Sequence, residues 1–214
     1  MLQVFLVRHG ETQWNAERRL QGQSNSPLTA LGEQQARQVG ERLKSYGITH
    51  IISSDLGRAR QTAGIIAELI GCSVQTDCRL RELNMGVLET RILSELSTEE
   101  EGWRQSLVDG TCEGRIPQGE SMSDVAGRMR QALDACRELP AGSRPLLVSH
   151  GMALGTLINT LLGLPAWAER RLRLRNCSLS RVDFQHSPWL ADGWIVETAG
   201  DVAHLGGVTD NASQ

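Results

Sequence analysis

Two histidines and two arginines in this chain sit where chemistry tends to collect. Arg8-His9-Gly10 ends an apolar run, Leu2 to Val7, and Ser149-His150-Gly151 ends another that starts at Leu146. Ser53-Ser54-Asp55, leading to Arg58, follows His50-Ile51-Ile52, and Arg81-Glu82 follows a weaker extended stretch, Cys72 to Thr76. If these four runs are parallel strands, their carboxyl ends share one edge, and the ligand crevice of an open parallel sheet lies outside that edge. Arginines and histidines meeting there, near helix starts, form an anion site, and phosphate is the common anion of that kind. A neutral imidazole is a competent nucleophile near neutral pH, and neighbouring arginines disfavour its protonated form. The set has the parts that phosphoryl transfer requires. His9 is the nucleophile, Arg8, Arg58 and a protonated or donating His150 stabilise the transferring group, and Glu82 is the nearby carboxyl that supplies and retrieves a proton. Each residue alone has a structural reading as well. A histidine after a strand packs or caps, Glu82 beside Arg79 and Arg81 forms a surface ion pair worth little, and Arg58 is a solvated helix charge. Their joint placement after four strands favours the site.

The positioning elements follow from pattern. Leu2 to Val7 is a buried strand. Thr29 to Tyr46 fits a helix with Thr29 as cap and Gly47 as stop, and Leu56 to Ile70 a second, closed by Gly71. Ser121 to Leu139 opens on a capping box, Ser121 with Asp124, and ends at Pro140. Gly151 to Leu162 reads as helix, and Leu179 to Phe184 and Trp194 to Thr198 as late strands. Alternating strands and helices predict the α/β class: one three-layer α/β/α domain over residues 1–206, with a mostly parallel central sheet. The weakly patterned stretch of about 89–119 reads as a small lid insertion, and 207–214 as a flexible tail.

Composition bounds the partners. The 214 residues carry 40% hydrophobic and 22% charged side chains and a formal charge of −3, with a pI of about 6.0. Nucleic acid is not the expected partner of such a chain, and positive charge for an anion must be concentrated locally. The N-terminal apolar run is too short for a signal core or a membrane span, so no membrane partner and a cytoplasmic location are expected. Cys72, Cys78, Cys112, Cys136 and Cys177 are scattered with no CxxC pair, which fits free thiols in a reducing compartment. The basic run Arg170 to Arg175 alternates with leucine and reads as a half-buried strand with its arginines facing water. No aromatic residues interleave it, as single-strand binding would want. Of the tryptophans, read as core or rim, Trp14 stands beside the His9 loop as a fluorescent reporter. Nothing in the pattern specifies an oligomeric state.

At these residues the sequence resembles a family. Leu6-Val7-Arg8-His9-Gly10-Glu11-Thr12, with Asn15 beyond, is similar to the signature of the histidine phosphatases, which include the cofactor-dependent phosphoglycerate mutases. Ser53-Ser54-Asp55-Leu56 with Arg58 and Gln61-Thr62-Ala63 resembles the second motif, and Ser149-His150-Gly151 the third. The chain looks most like the bacterial subgroup described as a second, probable phosphoglycerate mutase. The resemblance implies that His9 becomes the phosphohistidine, Glu82 is the proton donor and acceptor, and His150 stabilises the transition state. It implies that Arg8, Asn15 and Arg58 hold the phosphate with the Gly10, Glu11 and Thr12 loop, that Gln21 and Gly22 line the pocket, and that the Gly151 backbone contributes. Arg60, Leu83, Asn84, Met85 and Arg104 are expected to contact the rest of the substrate. Family members work without a metal, in keeping with the absence of a metal-ligand cluster from the sequence pattern.

Two activities then compete. The family's mutases carry a basic residue after the proton-donor glutamate and an arginine pair beyond it. Here Glu82 is followed by Leu83-Asn84-Met85-Gly86, and Glu89, Glu95, Glu99, Glu100, Glu101, Asp109 and Glu113 outnumber Arg91, Arg104 and Arg115. A charge-assisted contact contributes about 1.5–3 kcal/mol. Its loss favours a phosphatase of small phosphorylated metabolites that needs no cofactor. The alternative is a mutase interconverting 2- and 3-phosphoglycerate with 2,3-bisphosphoglycerate as primer. A phosphohistidine protein phosphatase would need an open cleft, and a non-catalytic phosphometabolite-binding module would not need both His9 and Glu82.

Overall fold

The computed structural model describes residues 1–110, 113–186, 188, 190 and 192–206. In chain order the elements are β1 (Leu2–Arg8), α1 (Gln13–Ala16), α2 (Ala30–Leu43), β2 (His50–Ser53), α3 (Gly57–Ile70), β3 (Val74–Thr76), α4 (Thr98–Ser106), α5 (Met122–Ala135), β4 (Pro145–Ser149), α6 (Gly151–Leu161), β5 (Leu179–Phe184) and β6 (Trp194–Asp201). The six strands form one sheet in the order β3-β2-β4-β1-β5-β6. β3, β2, β4 and β1 run parallel, and β5 pairs antiparallel with both β1 and β6.

Period-two burial gives the sheet two apolar faces. Val4, Leu6 and Leu147 point to a core shared with Met129 and Leu133 of α5 and Leu154 and Leu157 of α6. Phe5, Val7, Leu146 and Val148 point the other way, to Ala36 and Val39 of α2 and Ala63 and Ile66 of α3. Helices on both faces of the sheet make the three layers predicted from the alternation. The expected boundaries hold. The Thr29 hydroxyl accepts from Gly32 N at 3.0 Å, Gly47 and Gly71 take left-handed φ of 65° and 74°, and Ser121 and Asp124 form the capping box.

Two stretches depart from the sequence reading. Within 89–119 lies a capped helix, α4, with Ser97 and Glu100 as its capping box, while Leu96, Trp103, Leu107 and Val108 pack on the α5–α6 core. Residues 170–175, expected as a strand, are not one. Both sheet edges are already set by β3 and β6, so their leucine–arginine alternation serves an extended connection from α6 to β5. The expected tail at 207–214, and Cys112 and Trp189, lie outside the described residues. Cys72, Cys78, Cys136 and Cys177 are free thiols. Among the described residues, no helix is long and apolar enough to cross a membrane.

Candidate active site

Register places the histidines side by side. Arg8 of β1 pairs with Ser149 of β4, so His9 and His150 each lie one residue past the sheet edge, with ring centroids 5.1 Å apart. The ladder continues past the strands, since His9 N donates to Ser149 O and Ser54 N to Val148 O. His9 and His150 are 3% and 0% exposed, Arg58 1% and Glu82 8%.

Hydrogen bonds fix the histidine tautomers. His9 Nδ1 lies 2.7 Å from the Gly10 carbonyl. A carbonyl only accepts, so Nδ1 carries the proton and Nε2 is the unprotonated, accepting nitrogen. Arg58 Nε donates to His9 Nε2 at 3.3 Å and to His150 Nδ1 at 3.2 Å. His150 Nε2 therefore bears the proton and donates to Ser54 Oγ at 2.8 Å. Burial is the largest cause holding the His9 pKa well below 6.5, followed by the charges of Arg58 and Arg8, against an opposing push from the Gly10 bond. Burial, then Arg58, lowers His150 in the same way. Both rings are neutral at pH 7, as the spacing of arginines and histidines predicted for the nucleophile.

Arg58 is held from behind. Its Nη1 and Nη2 donate to the carbonyls of Ser24 and Gly22, each at 2.7 Å, and burial lowers its pKa to about 10. It remains a cation at neutral pH. Arg8 Nη1 donates to Leu174 O at 2.7 Å, and its guanidinium lies against Gly151, where a Cβ would stand 3.3 Å from Arg8 Nε. Glu82 is clamped at the start of α6: Oε1 accepts from Leu83 N and Ala153 N, both at 2.9 Å, and Oε2 from Met152 N at 3.1 Å. The loop before Glu82 is gripped by Arg128, which donates to the carbonyls of Arg79, Arg81 and Glu82 and pairs with Glu120.

These groups face one cavity of about 400 Å³. Of the residues singled out in the sequence, Arg8, His9, Asn15, Gln21, Gly22, Arg58, Glu82, Met85 and Gly151 line it. Asn15 uses its Oδ1 for Thr12 and Asn176, which leaves its Nδ2 donors for an anion. Gln21 Oε1 is buried without a donor. His150 is not on the wall and reaches the cavity through Arg58. The Gly10, Glu11 and Thr12 backbone N–H groups are engaged by Thr62, Gln35 and Asn15, which ties this loop to the scaffold. Leu83 is core, Asn84 caps Gly86, Arg60 is exposed away from the cavity, and Arg104 pairs with Glu101. Of the described residues in 89–119, Leu93 alone reaches the wall.

Sequence reading missed a second set. Arg18, Arg19, Arg170, Arg171 and Arg173 line the same cavity, with Trp14, Leu20, Met152 and Leu172. The water those arginines were expected to face is that of the cavity mouth. Counting Arg8 and Arg58, seven arginines and one carboxylate, Glu82, surround it. The signal was present in the length of the basic run, but its alternation mimicked a strand. Among the described residues there is no cluster of three or more His, Cys, Asp or Glu arranged to hold a metal ion.

The chain is similar to known proteins in sequence and in fold. The chain is 74% identical over 205 residues to a "Probable phosphoglycerate mutase GpmB" of Klebsiella pneumoniae, covering 96% of this chain and 95% of that protein. It is 71% identical over the same length to the protein of that name from Escherichia coli O1:K1. Among solved structures, Bacillus stearothermophilus YhfR superposes with a TM-score of 0.85 at 29% identity, covering 96% of this chain and all of that one. A mycobacterial glucosyl-3-phosphoglycerate phosphatase, solved with VO3, superposes with a TM-score of 0.84 at 28% identity, over 94% of this chain and all of its own. A family model matches residues 4–197, and by that match the chain belongs to the histidine phosphatase superfamily, branch 1.

Proposed function

We propose that this chain is a phosphatase of small phosphorylated metabolites that works through a phosphohistidine at His9. The observation that carries the reading is the neutral His9, unprotonated at Nε2, on the wall of a cavity that also presents Arg8, Arg58 and Glu82. On arrival of a phosphomonoester, Arg58 Nε exchanges its bond to His9 Nε2 for a phosphoryl oxygen, which frees the nucleophile. Nε2 attacks phosphorus, the P–O ester bond breaks, and Glu82, entering this step in its acid form, gives its proton to the leaving oxygen. Water then attacks phosphorus, the N–P bond breaks, and Glu82 takes the proton of the water. Arg8, Arg58 and the Asn15 amide carry the charge of the transferring group, and His150 holds Arg58 in place from behind. No step needs a metal or a cofactor.

Hydrolysis rather than transfer is favoured by the open mouth. Arg18, Arg170, Arg171 and Arg173 are exposed, and no residue of α4 closes over them, so water reaches the second step. One of the similar solved structures is of a phosphatase by name, which supports this reading. Two observations favour the mutase alternative: the same arginines would grip a bisphosphate primer, and GpmB relatives bear the mutase name. Phosphorus NMR of 3-phosphoglycerate, with and without a trace of 2,3-bisphosphoglycerate, separates the two. Free phosphate that is absent with His9→Ala supports the phosphatase; 2-phosphoglycerate that depends on the bisphosphate would establish the mutase.

A further inference from the structure

Glu89, one of the acids of the 89–119 stretch, turns its charge inward. Its carboxylate accepts four hydrogen bonds, all from neutral donors. Oε1 takes Gln23 N at 2.7 Å and Met85 N at 3.3 Å, and Oε2 takes Ser24 N at 3.0 Å and Ser24 Oγ at 2.6 Å. Those donors include the loop that holds Arg58, whose guanidinium donates to the carbonyls of Gly22 and Ser24. Glu89 itself is not on the cavity wall. The two sets of contacts meet on one peptide unit. The Gly22 carbonyl accepts from Arg58 Nη2 on one side, and the Gln23 N–H donates to Glu89 Oε1 on the other, each at 2.7 Å. A trans peptide is planar, with its C=O and N–H on opposite edges, so one rotation of this unit serves both groups or neither.

A carboxylate on the N–H side and a guanidinium on the C=O side polarise that peptide in the same sense, which strengthens both bonds. Gly22 reaches the rotation at a φ of 51°, in the left-handed region that glycine enters without steric cost. A Cβ there would stand 2.2 Å from Glu89 Oε1, so the carboxylate lies directly against the peptide it orients. Burial lowers the Arg58 pKa to about 10, and the charges of Glu82 and Glu89 oppose that fall. The Met85 bond ties the same carboxylate to the segment that leaves Glu82. We infer that Glu89 is a positioning residue for the phosphoryl-transfer site: through the Gly22–Gln23 peptide it sets the place of the Arg58 guanidinium, and through Met85 N it couples that place to the turn after Glu82. It touches no substrate and moves no proton. The inference rests on the proposed function only for the role of Arg58 as a holder of the transferring phosphate.

The test is a double-mutant cycle of Glu89→Gln with Arg58→Lys. With p-nitrophenyl phosphate as substrate, Glu89→Gln is expected to lower kcat/KM by about ten-fold in the wild-type background, and by less than about two-fold once Arg58 is lysine, because residues of one hydrogen-bond network couple. The same cycle is read on calorimetric binding of inorganic phosphate in His9→Ala, where no turnover is needed. NMR titration of the His9 and His150 rings supplies a sign that a merely structural role would not move. Arg58 lowers both pKa values, so displacing it in Glu89→Gln raises them, whereas loss of a negative charge acting directly would lower them. Glu89→Asp keeps the charge but withdraws the carboxylate by one methylene; it serves as the second variant if Glu89→Gln does not fold, with the same coupling expected. Equal losses in both backgrounds, or histidine titrations that stay or fall, overturn the positioning role. Undiminished turnover in His9→Ala would instead end the phosphohistidine reading and leave the phosphate-binding cycle to be read.

Discussion

Burial first, and then the charge of Arg58, whose Nε is set between His9 Nε2 and His150 Nδ1, keep both rings neutral and so make their stability cost depend on pH. The folded pKa values of both lie well below 6.5, the value an unfolded histidine retains. Above that pH neither state binds the proton and the fold is unpenalised. As pH falls below it the unfolded chain protonates first, and stability drops by about 1.4 kcal/mol per pH unit for each histidine. Urea unfolding between about pH 7.5 and 5.5 is expected to show this acid-side loss, and His150→Gln to remove one histidine's share; a slope that His150→Gln leaves intact would contradict the burial account. Gly151 makes a second residue-scale prediction. A Cβ there stands 3.3 Å from Arg8 Nε, so Gly151→Ala should fold normally yet lower kcat/KM by about ten-fold, a displaced donor costing less than the roughly hundred-fold or more of a lost one. His9, Arg58, Glu82 and His150 were legible in the sequence because each follows an apolar strand at the edge where ligands bind. Arg170 and Arg173 were not, because an extended segment and a strand share the same alternation.

Glu82 shows how an element and the chemistry depend on each other. The residue before α6 is His150, whose ring belongs to the site and gives no cap. The free N–H groups of Met152 and Ala153 are taken by Glu82 instead. Glu82→Ala should therefore lose about 1 kcal/mol of stability, the ordinary cost of a missing cap, together with activity; Glu82→Gln should recover much of the stability and none of the turnover. Equal loss of stability in both would deny the capping role. Arg128 of α5 performs the matching task for the preceding loop, with three carbonyls in its grip. Arg128→Met is expected to lower kcat by about ten-fold or more, because small misplacements of a reacting group are costly, with KM changed far less. The helices, caps and stops of this framework were readable from spacing alone. α4 was not, because Trp103 is its one large apolar residue and sets no period.

At the scale of the whole molecule, a net acidic chain carries one strongly cationic mouth of seven arginines. Anionic substrates are drawn to such a mouth, and salt screens the attraction. kcat/KM for a phosphomonoester should fall several-fold between about 20 and about 200 mM salt, with kcat nearly constant; a salt-independent value would mean that the rim does not steer. Net charge alone could not reveal this, since it averages over the surface. The central claim, a covalent phosphohistidine at His9, is tested most directly by acid-free rapid quenching of the enzyme with a radiolabelled phosphomonoester, followed by peptide mapping. The account predicts an alkali-stable, acid-labile label on the peptide containing His9, formed in the first turnover and missing from His9→Ala. Turnover without a labelled intermediate, or undiminished turnover in His9→Ala, would contradict it.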